Sequence, residues 1–471
     1  MFFLLGKKNE NKLAIFKSII FKERVEKLTL TQMQDQLGLS QVTIRNLIKE
    51  INNELETVVY IEIKNNEVTL LKNEYTIEQI VNFYSVHDNG YKLLEVLFMK
   101  PKVYTVESLA QYLYISTSHL YKVVKKFNEQ LCDYNISITI RKGVYLNGPK
   151  RLIKNLFYEF LSLSNQMYEQ LPFSPSESTL NRQVHIIFAE YGILHNQSND
   201  ILFSRWLITC LNFNYILNKK SIIIIDKDTN KEFPFHIEEN FFIIGESVFK
   251  SLGMKKVTHK DIMELYLGLA SLVLNFETKQ DALYFQQNFI SKKEVREKVE
   301  KLSPELLKMI DNQNELKKMT VSLEFSIEFI LTYIDYFLIT WKKYLDLYQF
   351  VYKNVSINYE RIKKLWEKNL ATDKYNNVKQ EVCINLLSFM IDFFNQNTGE
   401  KMNNKRFIYK SILGSKTENL MMNKLMSLFE YPDDESSTES VYLIDDTRLM
   451  NDSKKKYMLL NDFIDYMNQL F

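Results

Sequence analysis

Two stretches of the sequence set short polar and basic side chains at helical spacing. The first holds Gln41, Thr43, Arg45, Asn46 and Lys49; the second holds Thr117, Ser118, His119, Tyr121, Lys122 and Lys125. Side chains of these types suit base edges and phosphates, which come within hydrogen-bonding reach of a helix seated in a major groove. Arg141 and Lys142 follow the second stretch at a turn, where they suit a phosphate or a minor-groove contact.

A helix can offer such a face only if its other face is anchored. In the first stretch Val42, Ile44, Leu47, Ile48 and Ile51 are expected to point inward. The anchoring pattern recurs: LTLTQMQDQLGLSQVTIRNLIKEINNEL (28–55) aligns without a gap on YTVESLAQYLYISTSHLYKVVKKFNEQL (104–131), at a constant offset of 76 residues. Apolar positions coincide, among them Met33 with Leu109, Ile44 with Leu120, Ile48 with Val124 and Ile51 with Phe127. Ser40 and Ser116 match as helix N-caps, and Thr29 and Thr105 precede the shorter helix of each pair.

Each pair is followed by alternating segments that read as a β-hairpin. They are VVYIEIKNNEVTLL, with Asn65 and Asn66 at the turn, and ISITIRKGVYLNG, with Gly143 suited to a positive φ. An apolar helix precedes each pair, LAIFKSIIF (13–21) and YKLLEVLFM (91–99). Helix, helix, turn, helix and hairpin is the layout of a winged helix, here in two copies. YSVHDNG (84–90) reads as the linker between them. From about 151 to 390 apolar residues fall at three- and four-residue spacing, which predicts an almost wholly helical region. PFSPSES (172–178) and a break near 275–285 divide it. Beyond it, KRFIYKSILGS and VYLID read as strands, and ENLMMNKLMSLFE and SKKKYMLLNDFIDYMNQLF as helices.

The sequence thus predicts a mainly α, multidomain chain: a first winged helix-turn-helix domain at 1–83, a second at 84–165, helical domains at 166–280 and 281–390, and a small α/β domain at 391–471. With 11 Gly and 7 Pro in 471 residues, a turn-rich β architecture is disfavoured. The net charge of +2 says little, but residues 91–150 carry a local excess of +5, a modest footprint for phosphate. Cys132, Cys210 and Cys383 are too far apart for a zinc or redox motif. No apolar run reaches the ~20 residues of a membrane span, so a cytoplasmic protein is expected. GVYLNGPK (143–150) fails as a phosphate loop, because Pro149 precedes Lys150 and no Ser or Thr follows. Nothing calls for a metal or a cofactor, and no enzyme is expected. The reading is a regulator bound to double-stranded DNA. An interaction scaffold built on winged helices and an RNA-binding antiterminator are the alternatives.

This order of parts resembles the Mga/AtxA family of Gram-positive virulence regulators, whose helical parts are phosphotransferase-system regulation domains (PRDs). The most specific likeness is ISITIRKGVYLNGPKRLIKNLFYEFL (136–161), similar to the G-x-x-L-x-G-x-x-x-x-I exit from the DNA-binding part of PRD-containing regulators. The resemblance implies a homodimeric activator of virulence or carbon-linked genes, bound to AT-rich promoter DNA. It implies an EIIB-like C-terminal domain, and histidines phosphorylated by phosphotransferase-system carriers. The candidates, in order, are His195, His185 and His259. The family's HL-x-x-A and Y-L-x-x-H helices read SRWLITCLNF and ELYLGLASLVL here, without histidine, and no cysteine follows Cys383 for EIIB-type phosphate transfer.

Overall fold

The computed structural model describes residues 5–22, 28–73, 77–100, 103–141, 143–162, 171–193, 197–217, 222–224, 235–272, 290–291 and 293–310. It also describes single positions between 324 and 342, then 358–370, 377–396, 405–410, 439–444 and 456–459. The described chain is mainly helical and divides into two compact units. One comprises Met1–Lys92, Asp346–Lys353 and Gly399–Phe471; the other comprises Leu93–Leu345 and Asn354–Thr398.

In the first unit α1 (Lys7–Lys22), α2 (Leu30–Leu37) and α3 (Gln41–Glu54) precede a hairpin of β1 (Val59–Lys64) and β2 (Glu67–Asn73). Thr29 and Gln32 form a reciprocal capping box at the start of α2, with N–H to side-chain oxygen distances of 3.2 and 2.9 Å. Gly38 ends α2 in the left-handed region (φ 63°), which lets the chain reverse before Ser40 caps α3. The two central residues of the hairpin, Asn65 and Asn66, have φ of 48° and 69°, the conformation a tight two-residue connection needs. Asn66 O accepts from Leu30 N at 2.9 Å and Leu28 O from Val68 N at 2.8 Å, which ties the hairpin to the entry of α2. One apolar core unites Ile15, Ile19, Met33, Ile44, Ile48, Ile51, Ile61 and Val68.

The stretch expected as a linker is packed instead. Tyr84 and Ser85 are buried in α4 (Ile77–Val86), and Tyr84 joins the core of the first unit. The helix breaks only at His87–Asp88. There Asp88 caps α5 (Asn89–Met99) by accepting from Gly90 N at 3.1 Å, and its other oxygen accepts from Gly6 N at 2.7 Å. Polar composition suggested a loop; Asp88 is a cap and the Tyr84 ring is core.

In the second unit α6 (Val106–Tyr112) and α7 (Thr117–Leu131) are capped by Thr105 and Ser116. A short hairpin follows, β3 (Ser137–Thr139) and β4 (Tyr145–Gly148), and Tyr104 O accepts from Val144 N at 2.8 Å. α8 (Lys150–Leu161) leads into the helical region: α9 (Glu177–Glu190), α10 (Gln197–Leu217), α11 (Glu239–Ser251), α12 (His259–Leu272), α13 (Lys293–Leu307), α14 (Tyr359–Leu370) and α15 (Asn377–Gln396).

Three short strands interrupt the helices where none was expected. β5 (Ile222–Ile224) pairs parallel to β4, and β6 (Phe235–His236) pairs with β7 (Ile290–Ser291). Three consecutive β-branched residues at 222–224 suit the open edge of a ladder better than a helix. Near the end, β8 (Lys405–Lys410), β9 (Glu439–Ile444) and β10 (Lys456–Leu459) form a parallel sheet in the order β10-β9-β8. β8 and β9 match the expected strands. β10 replaces the start of the helix expected from 453, because pairing on Val441–Ile444 overrides local propensity. The expected helix at 418–430 lies outside the described residues.

The helical region is held by a buried polar network centred on α8. Lys154 donates to Glu264 Oε2 at 2.5 Å, lies 3.3 Å from Cys210 Sγ and sits 4.7 Å from the centre of the Trp206 ring. Burial works against the Lys154 ammonium, but the Cys210 sulfur and the Glu264 carboxylate raise its pKa above the ordinary lysine value. Burial also pushes the Cys210 thiol up to about 12, so Glu264 is the charge partner at neutral pH. At the next position Asn155 Oδ1 accepts from Ile339 N at 2.9 Å, and a turn further on Glu159 accepts the Thr340 hydroxyl at 2.8 Å.

Candidate nucleic-acid interface

In the first unit Thr43, Arg45, Asn46 and Lys49 are exposed on α3, as their spacing predicts. Gln41 is half-buried, because its amide donates to Thr31 Oγ1 of α2 at 3.3 Å. Thr43 is engaged in the cap: its N–H donates to Ser40 Oγ at 3.1 Å and its hydroxyl lies 2.8 Å from the same oxygen.

Val42 corrects the sequence reading. It is 67% exposed, not inward-facing. The buried stripe is Ile44, Leu47, Ile48 and Ile51. Val42 lies two residues before Ile44, about 200° around the axis, so it shares the outer face. Val42, Arg45, Asn46 and Lys49 therefore form one i, i+3, i+4, i+7 stripe.

The C-terminal half of α3 is acidic, and α1 neutralises it. Lys12, only 2% exposed, lies 2.6 Å from Glu54 and 3.0 Å from Glu50, while Lys8 lies 2.8 Å from Glu50. The hydrogen bond from Lys8, against burial and helped by Lys12, holds the Glu50 carboxyl below its usual range. These pairs reduce the negative field that a phosphate backbone would meet at this end of the helix. The sequence reading missed them, since Lys12 lies just before the apolar run at 13–21 and its partner Glu54 is 42 residues away.

In the second unit Thr117, Ser118, His119, Tyr121, Lys122 and Lys125 are all exposed on α7. Ser118 Oγ lies 3.0 Å from the capping Ser116 Oγ. Lys125 lies 3.7 Å from Glu129 with both side chains exposed, a weak pair that leaves the cation available. Arg141 is exposed beside the hairpin; Lys142 lies outside the described residues. Tyr121, Lys125 and Arg141 line one open groove between α7 and the hairpin, so the structure brings helix and hairpin candidates together.

A further pair went unnoticed in the sequence. Asn52 exchanges two hydrogen bonds with the backbone of Ile61, at 2.7 and 2.8 Å, and Asn128 does the same with Ile138, at 2.9 and 2.6 Å. The two asparagines stand at the repeat offset of 76, which is the signal that could have found them. Each fixes the first hairpin strand against the long helix that carries the candidate reading face.

Residues 73–161 match the Mga helix-turn-helix domain. The match bears out the resemblance to the Mga family read from the sequence. A provisionally named trans-acting regulator of Streptococcus pneumoniae serotype 4 is 20% identical over 230 residues, covering 48% of this chain and 45% of that protein. A provisionally named transcriptional regulator, MtlR, of Streptococcus mutans serotype c is 26% identical over 156 residues, covering 32% of this chain and 23% of that protein. The chain spans less than half the length of either relative.

The Mga match takes in α4, although Tyr84 of that helix packs in the core of the first unit. Beyond the matched residues, His185 is exposed on α9. His259 opens α12, also exposed, and stacks on Phe242 with ring centres 4.1 Å apart. His195 lies outside the described residues. Among the described residues no helix is long and apolar enough to cross a membrane.

Proposed function

We propose that this chain is a transcription regulator that binds double-stranded DNA through α3 and α7 and the hairpins that follow them. The carrying observation is the repeated device itself. Two helices, 76 residues apart, expose polar and basic stripes, and each is locked to a hairpin by an asparagine at the same register. An expendable packing module has no need of an exposed stripe with Arg45, Lys49, Lys122 and Lys125. The Mga match over α7 and the names of the two streptococcal relatives support the same reading.

On this reading both N-terminal units are winged helix-turn-helix domains acting in the cytoplasm. The helices beyond α8 serve as PRD-like regulatory domains that couple sugar phosphotransferase status to homodimerisation and activation. The parallel sheet of β8, β9 and β10 supports an EIIB-like end. Exposure keeps His185 and His259 available as phosphate acceptors. A mobility shift of the full chain on AT-rich duplex DNA, titrated with salt, tests DNA binding. Affinity should fall steeply as salt rises. No shift at low salt would favour the interaction scaffold instead.

A further inference from the structure

The two reading faces are built from the same positions but from different chemistry. At the register that the repeat defines, Val42, Arg45, Asn46 and Lys49 correspond to Ser118, Tyr121, Lys122 and Lys125. All eight are exposed, and each set forms one stripe along its helix. The first set contains three side chains that discriminate bases in a major groove. An arginine fork fits guanine O6 and N7, an asparagine amide fits adenine N6 and N7, and an aliphatic tip fits the thymine methyl. The second contains two lysines, a phenol and a hydroxyl short enough to be engaged at the helix cap. Ammonium groups act as point charges, which suits phosphates and carries little sequence information.

The surroundings point the same way. α1 offsets the negative charge at the end of α3 by pairing Lys8 and Lys12 with Glu50 and Glu54. In the second unit Lys125 and Arg141 share a groove with Tyr121, a charged flank beside the helix. An exposed valine on a solvent-facing stripe has no core to fill; at the N-terminal turn of α3 it stands where a recognition helix meets base edges.

We propose that the two units divide the recognition work: α3 reads bases, with Val42 meeting a thymine methyl and Arg45 and Asn46 reading adjacent purines, while α7 supplies sequence-independent phosphate affinity. This rests on the DNA-binding reading above.

The test is selection from a pool of random 20-base-pair duplexes by the full-length chain, with affinity for the unselected pool measured in parallel against salt. Wild type should enrich a defined sequence. Asn46→Ala should flatten an adenine preference at one position at least about fivefold, with pool affinity nearly unchanged. Val42→Ser should flatten one thymine position, and Val42→Thr, which keeps a methyl, should retain it. Lys122→Gln with Lys125→Gln should lower pool affinity and reduce the salt slope by about 1.8, leaving the enriched sequence intact. The division is overturned if the lysine changes alter the sequence, or if the α3 changes lower pool affinity without flattening any position. If wild type binds no duplex even at low salt, the DNA-binding reading falls, and this proposal with it.

Discussion

Asn128 closes both ends of its amide on the backbone of Ile138, accepting from its N–H at 2.6 Å and donating to its carbonyl at 2.9 Å. An uncharged amide carries donor and acceptor side by side, so one side chain can complete what a neighbouring strand would otherwise supply. The effect is to make α7 and β3 one body. Arg141, two residues past β3, then keeps its place beside Tyr121 and Lys125.

Asn128→Ala leaves a half-buried N–H and carbonyl without partners, which costs about 1–3 kcal/mol locally. In a chain of several units a single melting curve would blur this loss. Hydrogen exchange of a peptide spanning 136–148 reads it directly: protection should fall there and stay unchanged in α10. Asn128→Asp should not rescue, because a carboxylate would then face the carbonyl of Ile138. Full protection in either variant would mean that the hairpin is held elsewhere. Asn52→Ala should act the same way on the strand that contains Ile61.

Tyr114 occupies the turn between α6 and α7 at φ 56°, the position that Gly38 fills in the first unit at φ 63°. Left-handed backbone costs a residue with a Cβ about 1–2 kcal/mol, and glycine loses about 0.5–1 kcal/mol more chain entropy on folding. The Tyr114 ring is 96% exposed and adds almost no burial. Tyr114→Gly should therefore stabilise the second unit, by about 0.5–1 kcal/mol on balance, read as increased exchange protection in α6 and α7. A loss of protection would show that the ring makes a contact worth more than the strain.

What could be read from the sequence was what the repeat made local. Caps at Thr29, Ser40, Thr105 and Ser116, the two short helix pairs and the Asn65–Asn66 turn all depend on residues within a few positions of one another. Val42 was misplaced because hydrophobicity alone says little about facing; many apolar residues sit on surfaces, and only the angular register with Ile44 decides. The packed segment at Tyr84–Asp88 was read as a linker, because its burial depends on partners such as Gly6, far away in sequence. β5 was missed for the same reason: a three-residue strand exists only by virtue of β4, some seventy positions earlier. Lys12 falls just before the apolar run at 13–21, and its partners Glu50 and Glu54 lie some forty residues away, so the pair left no local trace.

The Lys154–Glu264 pair gives the last prediction, and its sign follows from both partners. Burial alone would raise the Glu264 carboxyl, yet Lys154 and Lys150 outweigh it, so its folded pKa lies below the ordinary value of 4.5. Its contribution is complete above about 4.5 and is lost as pH falls through the folded value. Lys154 is raised above 10.5, so its contribution is complete below that and is lost as pH rises through the folded value. Cys210, neutral in the fold up to about 12, favours unfolding once the exposed thiol ionises above 9.0. The contribution of these three groups should therefore be flat between about 4.5 and 9.0 and fall on both sides. Glu264→Gln strands a buried ammonium and should cost about 3–5 kcal/mol, while Lys154→Met with Glu264→Leu should recover most of it. The single change should also remove this pair's share of the acid limb. Urea unfolding followed by the fluorescence of Trp206, whose indole N–H donates to the Glu264 carbonyl at 2.9 Å, reports from within the network once Trp341 and Trp366 are replaced by phenylalanine. An acid limb of the same depth in the double variant would mean that other carboxylates set the acid sensitivity of α8, α10 and α12.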